Sequence, residues 1–312
     1  MKMYYMKKKE NWQNRKVLVT GATGFVGPYL VRELSDRKAR IKVLSMNKTS
    51  SLFEDKTTVV SGNITDQSSL KNIMKGVDIV FHLAAVSNVN YAISHPRETF
   101  ETNATGTLNL LEEARKNEVE KFVYISSSHV YGIPQYLPMD EKHPVNPHEP
   151  YAASKAAAEM LVTIYALNYG LKTTIIRPFN MFGPGQSEDF IIPSIIGQAL
   201  TKEVVELGNL TPTRDLLYIT DAIEGILTIA EQGEGVYNIG SGIETSIKDV
   251  VETIIKIIDP SKKYVSIETR RRSNAIDIPR MCADISRLRS LGWSPVVCLE
   301  EGLMRTIANE NI

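Results

Sequence analysis

The 312-residue chain carries no excess charge of either sign: Lys and Arg together number 36, as do Asp and Glu, for a formal net charge of zero. With no one-sign field to attract a polyanion, neither nucleic acid nor an anionic membrane is an expected partner. Cysteine is nearly missing. Only Cys282 and Cys298 occur, in no metal-ligand spacing and no disulfide framework, so no metal is expected and a reducing cytoplasm is the simplest compartment. Met1 to Lys16 is basic and polar and lacks an apolar segment, which argues against a targeting or membrane-spanning role and reads as a poorly ordered lead-in over residues 1–15. Internal repeats and low-complexity tracts are also missing. What remains is 43% hydrophobic and 23% charged, enough to bury a sizeable core in one large α/β unit or two lobes.

Lys16-Val-Leu-Val-Thr20 is a short apolar run of the kind that forms a buried parallel strand, and Gly21-Ala-Thr-Gly24-Phe-Val-Gly27 follows before an apolar-periodic segment, Tyr29 to Leu34. Strand, glycine turn and helix suit a dinucleotide. Gly21 permits the turn, Gly24 lets the backbone approach a pyrophosphate at the helix N-terminus, and Gly27 allows close helix packing. A second strand, Ile41 to Leu44, runs into Ser45-Met-Asn47-Lys48, where an acidic residue would hold the ribose hydroxyls and none is present. NAD is therefore expected with NADP left open, since Lys48 could face a 2′-phosphate. A third strand, Thr58 to Ser61, leads to Asn63-Ile64-Thr-Asp66, where Asp66 is also read as a helix N-cap. A fourth, Val77 to Ala85, ends in small residues over which a cofactor can lie, and His82 within it reads as a structural histidine.

The fifth strand, from Lys121, ends in Ser126-Ser127-Ser128-His129 and delivers hydroxyls to the same sheet edge. After a proline-rich loop, Pro134 to Pro150, comes Tyr151-Ala-Ala-Ser-Lys155, a phenol and an ammonium one helical turn apart. Bringing a tyrosine from its reference pKa of about 10 to ~7 takes roughly 4 kcal/mol of phenolate stabilisation. One ammonium at ~4 Å in an effective dielectric near 20 supplies about that. A sixth strand, Thr173 to Asn180, is followed from about Phe190 by short helices and strands that do not continue a regular βα alternation.

Together, Gly21-x-x-Gly24-x-x-Gly27, the serine strand end, Tyr151-x-x-x-Lys155 and Arg177-Pro178-Phe179-Asn180 resemble the extended short-chain dehydrogenase/reductases, and more narrowly the nucleotide-sugar epimerase/dehydratase family, from about Lys16 to Thr306. The resemblance implies an α/β fold: a Rossmann-type doubly wound parallel sheet over 16–189, with 174–180 returning to it, and a smaller C-terminal α/β lobe over 190–312 that binds a nucleotide-diphosphate sugar beside a cleft. It also implies a homodimer built through a four-helix bundle that includes the tyrosine helix. By the same resemblance, Tyr151 is the general base, Lys155 holds the nicotinamide ribose and depresses the tyrosine pKa, and Ser127 bonds the sugar 4-hydroxyl. The cofactor would be held by Gly21, Thr23, Gly24, Phe25, Val26, Gly27, Ser45, Asn47, Asn63, Ile64, Leu83, Ala84, Ala85, Asn103, Ile125 and Pro178, beside Tyr151 and Lys155. Val86, Ser127, Ser128, Asn180, Ile192, Arg214 and one or two of Arg270, Arg271 and Arg272 would hold the substrate, the guanidinium forks suiting phosphate oxygens.

One position departs from the pattern. In the 4,6-dehydratases that this family includes, a glutamate stands two residues after the hydroxyl and takes the carbon-5 proton; here the place holds His129. Losing that carboxylate demotes dehydration, although an imidazole can still carry a proton. Oxidation at carbon 4 remains. A 4-epimerase is the first expectation, a 4-dehydrogenase or 4-keto reductase the second, a 4,6-dehydratase the third, and a cofactor-sensing regulator the non-enzyme alternative. The stretch Phe182 to Phe190 is similar to enzymes of GDP-linked sugars and Leu207 to Asp215 to those of UDP-linked ones, so GDP and UDP both stay open.

Overall fold

The computed structural model describes residues 12–46, 53, 57–270 and 278–310. Asn47, Lys48, Arg271 and Arg272 lie outside them. The chain divides into two compact units, one of Met1–Val130, Glu149–Arg177 and Ile226–Tyr237, the other of Tyr131–His148, Pro178–Gly225 and Asn238–Ile312.

The first unit is built on a seven-stranded sheet. Its strands are β1 (Lys16–Thr20), β2 (Arg40–Ser45), β3 (Thr57–Ser61), β4 (Ile79–His82), β5 (Lys121–Ile125), β6 (Thr173–Pro178) and β10 (Gly235–Ile239). They lie in the order β10-β6-β5-β4-β1-β2-β3, and every pairing from β3 across to β6 is parallel. Val17, Leu18 and Val19 are almost wholly buried because β1 sits mid-sheet with both faces covered, which is why the strand reads as an unbroken apolar run. The chain moves outward from β1 to β2 and β3, then returns to β4 on the other side. The carboxyl ends of β1 and β4 therefore flank a switch in strand order, the position at which open α/β sheets bind ligands.

Two sequence expectations are corrected here. Trp12, assigned to the lead-in, is 1% exposed: its ring centroid lies 5.8 Å from that of Phe81 and its indole N–H donates to Glu231. The strand at Val236 to Ile239, placed among the C-terminal elements, is an edge of the large sheet.

The helix Pro150–Tyr169 has local reasons to begin and end where it does. Glu149 at its N-cap accepts from the Tyr151 and Ala152 N–H groups, Pro150 needs no hydrogen-bond partner at the first position, and Gly170 closes the last turn at φ 67°. Val162 and Tyr165 join Phe122, Tyr124 and Leu110 in the first unit's main core.

In the second unit, β7 (Asn180–Phe182), β9 (Thr213–Tyr218) and β11 (Glu244–Ser246) form a three-stranded sheet in the order β11-β9-β7. A two-stranded sheet pairs β8 (Val204–Leu207) with β12 (Lys263–Ser266). Asp215 organises this unit. Its fully buried carboxylate accepts from Ser241 N, Ser241 Oγ, Gly242 N and Ala283 N at 2.6 to 3.0 Å, which offsets the cost of burying the charge. No helix among the described residues is long and apolar enough to cross a membrane.

Candidate active site

The glycine turn is fixed by close backbone contact. Gly21 has φ +70°, and a Cβ there would stand 2.5 Å from the Ala84 nitrogen; a Cβ on Gly27 would stand 2.4 Å from Ala22 Cα. Side chains are excluded at both positions. Gly24 N donates to Gly21 O at 3.1 Å, and the helix Val26–Asp36 that follows Phe25 has no side-chain cap and no acidic residue in its first turn. Its leading N–H groups thus stand ready for an anion, and the residues present fit the pyrophosphate of a dinucleotide.

Behind the turn lies a buried polar chain. Ala84 N–H meets Thr20 Oγ1 at 3.3 Å, Thr20 Oγ1 meets His82 Nδ1 at 2.8 Å, His82 Nε2 meets Thr107 Oγ1 at 2.9 Å, and Thr107 donates to Asn103 O at 2.6 Å. His82 is satisfied on both nitrogens, as expected of a structural histidine. Burial, and then the nearby Lys155 charge, lower its pKa to about 3. Asn103 sits in a π-helical turn, Glu101–Thr105, that turns its amide to the protein: Oδ1 accepts from Val86 N at 2.8 Å, and Nδ2 donates to Val86 O and to Ser154 Oγ, both at 2.9 Å. Ser154 donates in turn to Tyr151 O at 2.7 Å, so the β4 loop and the tyrosine helix are tied through one side chain.

Ser127 lies near enough to Tyr151 for its side chain to favour the ionised phenol. Tyr151 is 8% exposed. Burial pushes its pKa up to about 12, with the Ser127 side chain pulling down and the Glu149 charge pushing further up. Lys155, expected to depress this pKa, is not among the groups that move it in the free protein. The lysine Nζ donates to Ile125 O at 2.6 Å and lies 4.8 Å from the Tyr124 ring centroid, while desolvation dominates the phenol. Burial lowers Lys155 itself to about 7, against the opposing pull of Glu159.

His129 lies beside this group. Its N–H donates to Ser127 Oγ at 3.2 Å, its ring stands edge-on to Tyr151 with centroids 5.9 Å apart, and its Nδ1 is 3.5 Å from Glu149 Oε1. Sequence reading passed over Glu149. Its signal was a carboxylate followed by a proline at the start of an apolar helix, an N-cap pattern that says nothing of the imidazole beside it.

Of the other expected site residues, Thr23 and Gly24 are exposed, Phe25, Val26, Ser45, Leu83, Ala84, Ala85 and Val86 are half-buried, and Ser128 and Pro178 are buried. Asn63 Oδ1 accepts from Thr65 N at 3.0 Å, Ile64 belongs to the core, and Asp66 caps a short turn by accepting from Ser68 N. In the second unit Ile192 is buried, Asn180 Oδ1 is buried without a hydrogen bond, and Arg214 Nη1 donates to the carbonyls of Thr213 and Ile278, each at 2.8 Å.

The NAD dependent epimerase/dehydratase family matches residues 17–240. A human dTDP-D-glucose 4,6-dehydratase is 30% identical over 94% of this chain and 89% of its own. Among solved structures, an epimerase from Methanothermobacter thermautotrophicus superposes with a TM-score of 0.92 at 27% identity, covering 99% of this chain and 96% of that one. The UDP-glucose 4-epimerase of Thermus thermophilus, solved with NAD, gives 0.87 at 28% identity over 95% and 99%. With the strand order, the glycine turn and the Ser127–Tyr151 contact in place, these likenesses establish that the chain belongs to the NAD dependent epimerase/dehydratase family of nucleotide-sugar enzymes.

Proposed function

We propose that this chain is a nucleotide-diphosphate-sugar 4-epimerase, which oxidises sugar carbon 4 and reduces it again on the opposite face. The observation that carries the reading is the buried trio of Ser127, Tyr151 and Lys155 at the β5 edge, with His129 where elimination calls for a carboxylate. NAD, when bound, supplies hydride acceptance and return. Gly21, Thr23, Gly24, Phe25, Val26 and Gly27 would hold its pyrophosphate, Ser45, Asn47, Asn63 and Ile64 its adenosine, and Leu83, Ala84, Ala85, Asn103, Ile125, Lys155 and Pro178 its nicotinamide half. Burial keeps the Tyr151 phenol protonated in the free protein; with the positive nicotinamide ring bound beside it the phenolate would be favoured and would take the proton from the sugar 4-hydroxyl, while Ser127 donates to the same oxygen as it becomes a carbonyl. Val86, Ser128, Asn180 and Ile192 would line the sugar, while Arg214, Arg271 and Arg272 would meet the diphosphate.

A second reading, the 4,6-dehydratase, is favoured by the Glu149 carboxylate beside His129. An imidazole backed by a carboxylate can take a carbon-bound proton made acidic by a neighbouring ketone. Incubation with UDP-, GDP-, CDP- and dTDP-linked hexoses, followed by product mass and stereochemistry, separates the readings. Unchanged mass with inverted carbon 4 is expected. Loss of water would replace this reading with the dehydratase, loss of two hydrogens with the dehydrogenase, turnover only of 4-keto sugars with reduced cofactor with the reductase, and no turnover of any sugar with the cofactor sensor.

The homodimer is proposed on Met160, Ile164 and Leu167, which share one face of the tyrosine helix and are 67%, 44% and 78% exposed. Leu167→Glu should convert the protein to monomer in sedimentation; a wild-type chain already monomeric at micromolar concentration would refute the dimer.

A further inference from the structure

Lys155 is 3% exposed, and two successive residues of β5 approach its ammonium: Ile125 through its carbonyl oxygen and Tyr124 through its ring face, at 2.6 Å and at 4.8 Å from the centroid. Tyr124 is itself fully buried, so this contact is made out of water, where attraction between a cation and an aromatic face is strongest. The other charged and titratable groups around the lysine are few. On its own helix Tyr151 precedes it by one turn and Glu159 follows by one. From β4 comes His82, neutral at physiological pH, and Arg177 of β6 is held to the Glu159 carboxylate. Burial works against the ammonium and Glu159 works for it, which brings Lys155 to the balance point near neutrality. In such a balance a modest further attraction decides the charge.

We propose that Tyr124 is a positioning residue for the reaction: its ring face, together with the Ile125 carbonyl, keeps Lys155 charged and fixed against β5. The charge on which the cofactor ribose would depend is then set from the strand beneath. Only this last link rests on the function proposed above; the hold of Tyr124 on Lys155 does not.

The test replaces Tyr124 by Phe and then by singly, doubly and triply fluorinated phenylalanine, which drain the negative potential from the ring face at almost constant volume. Lys155 is followed in the free protein through 13C-labelled lysine Cε signals, assigned with Lys155→Met. Tyr124→Phe should leave the lysine titration nearly in place, and successive fluorines should lower it stepwise, by about one pH unit in total. The alkaline limb of kcat should move acidward by the same amount. A lysine titration that stays put across the series overturns the proposal, whatever happens to activity. A titration that moves while the alkaline limb stays supports the hold of Tyr124 on Lys155 and removes Lys155 from the rate-determining chemistry.

Discussion

Tyr151→Phe is expected to lower kcat by about 10²- to 10⁴-fold, the usual loss when a general base is removed, and to leave affinity for NAD nearly unchanged. The substitution deletes one oxygen and keeps the ring, so the packing around a side chain only 8% exposed is preserved. The lost oxygen is the one whose ionisation the Ser127 side chain favours. Because the proton transfer occurs only along the reaction path, the effect should fall on kcat and kcat/KM together, with KM little altered. Steady-state kinetics on the accepted sugar, with calorimetric titration of NAD, would measure both halves. Turnover at the wild-type rate would show that another group takes the proton, and His129, with its ring centroid 5.9 Å from that of Tyr151, is a candidate.

Glu159→Ala should cost about 3–5 kcal/mol of folding stability, the range found when one partner of a buried ion pair is removed. Glu159 accepts from Arg177 Nε at 2.9 Å and from Nη2 at 2.6 Å, and both side chains are about nine-tenths or more buried. Removing the carboxylate takes away the bidentate partner of a cation that water does not reach. The exposed pair Arg305–Glu301, also at 2.6 Å, makes the control: Glu301→Ala should change stability by no more than about 0.5 kcal/mol, because exposed charges are already well solvated. Urea unfolding of the two variants measures the contrast. Equal midpoints would mean that the buried pair contributes no more than the surface one. Glu159→Ala should also lower the proton affinity of Lys155, since Glu159 is the group that raises it.

The parts of this molecule legible in the sequence are those that local chemistry dictates. Gly21 and Gly27 announce a turn because side chains collide with backbone there, and the apolar run at β1 announces a strand covered on both faces. The histidine in β4 was legible as structural because an ionisable group inside an apolar run is usually paired and neutral. What stayed hidden depends on partners distant in the chain. Val236 to Ile239 is too short a run to reveal that it lies at the edge of a sheet whose other strands all precede residue 179. Trp12 is held by Phe81 and Glu231, which no local pattern connects. Spacing put Tyr151 and Lys155 on one helical face, but it could not say that the ammonium would be drawn to a carbonyl and a ring on β5, leaving burial to govern the phenol.

The hydrogen-bond chain behind the glycine turn has a directional consequence. Thr107 gives its hydrogen to Asn103 O and can only receive from Nε2 of His82, so in the neutral ring Nδ1 is the acceptor and takes the hydrogen of Thr20, whose oxygen receives the Ala84 N–H. The imidazole is thereby locked as a single tautomer, and every O–H and N–H along the line points the same way. Adding a proton at Nδ1 would require Thr20 to turn its own hydrogen away from the ring and give up that acceptor. Burial and the Lys155 charge keep the ring neutral, so the floor beneath the nucleotide turn holds one hydrogen-bond direction at physiological pH.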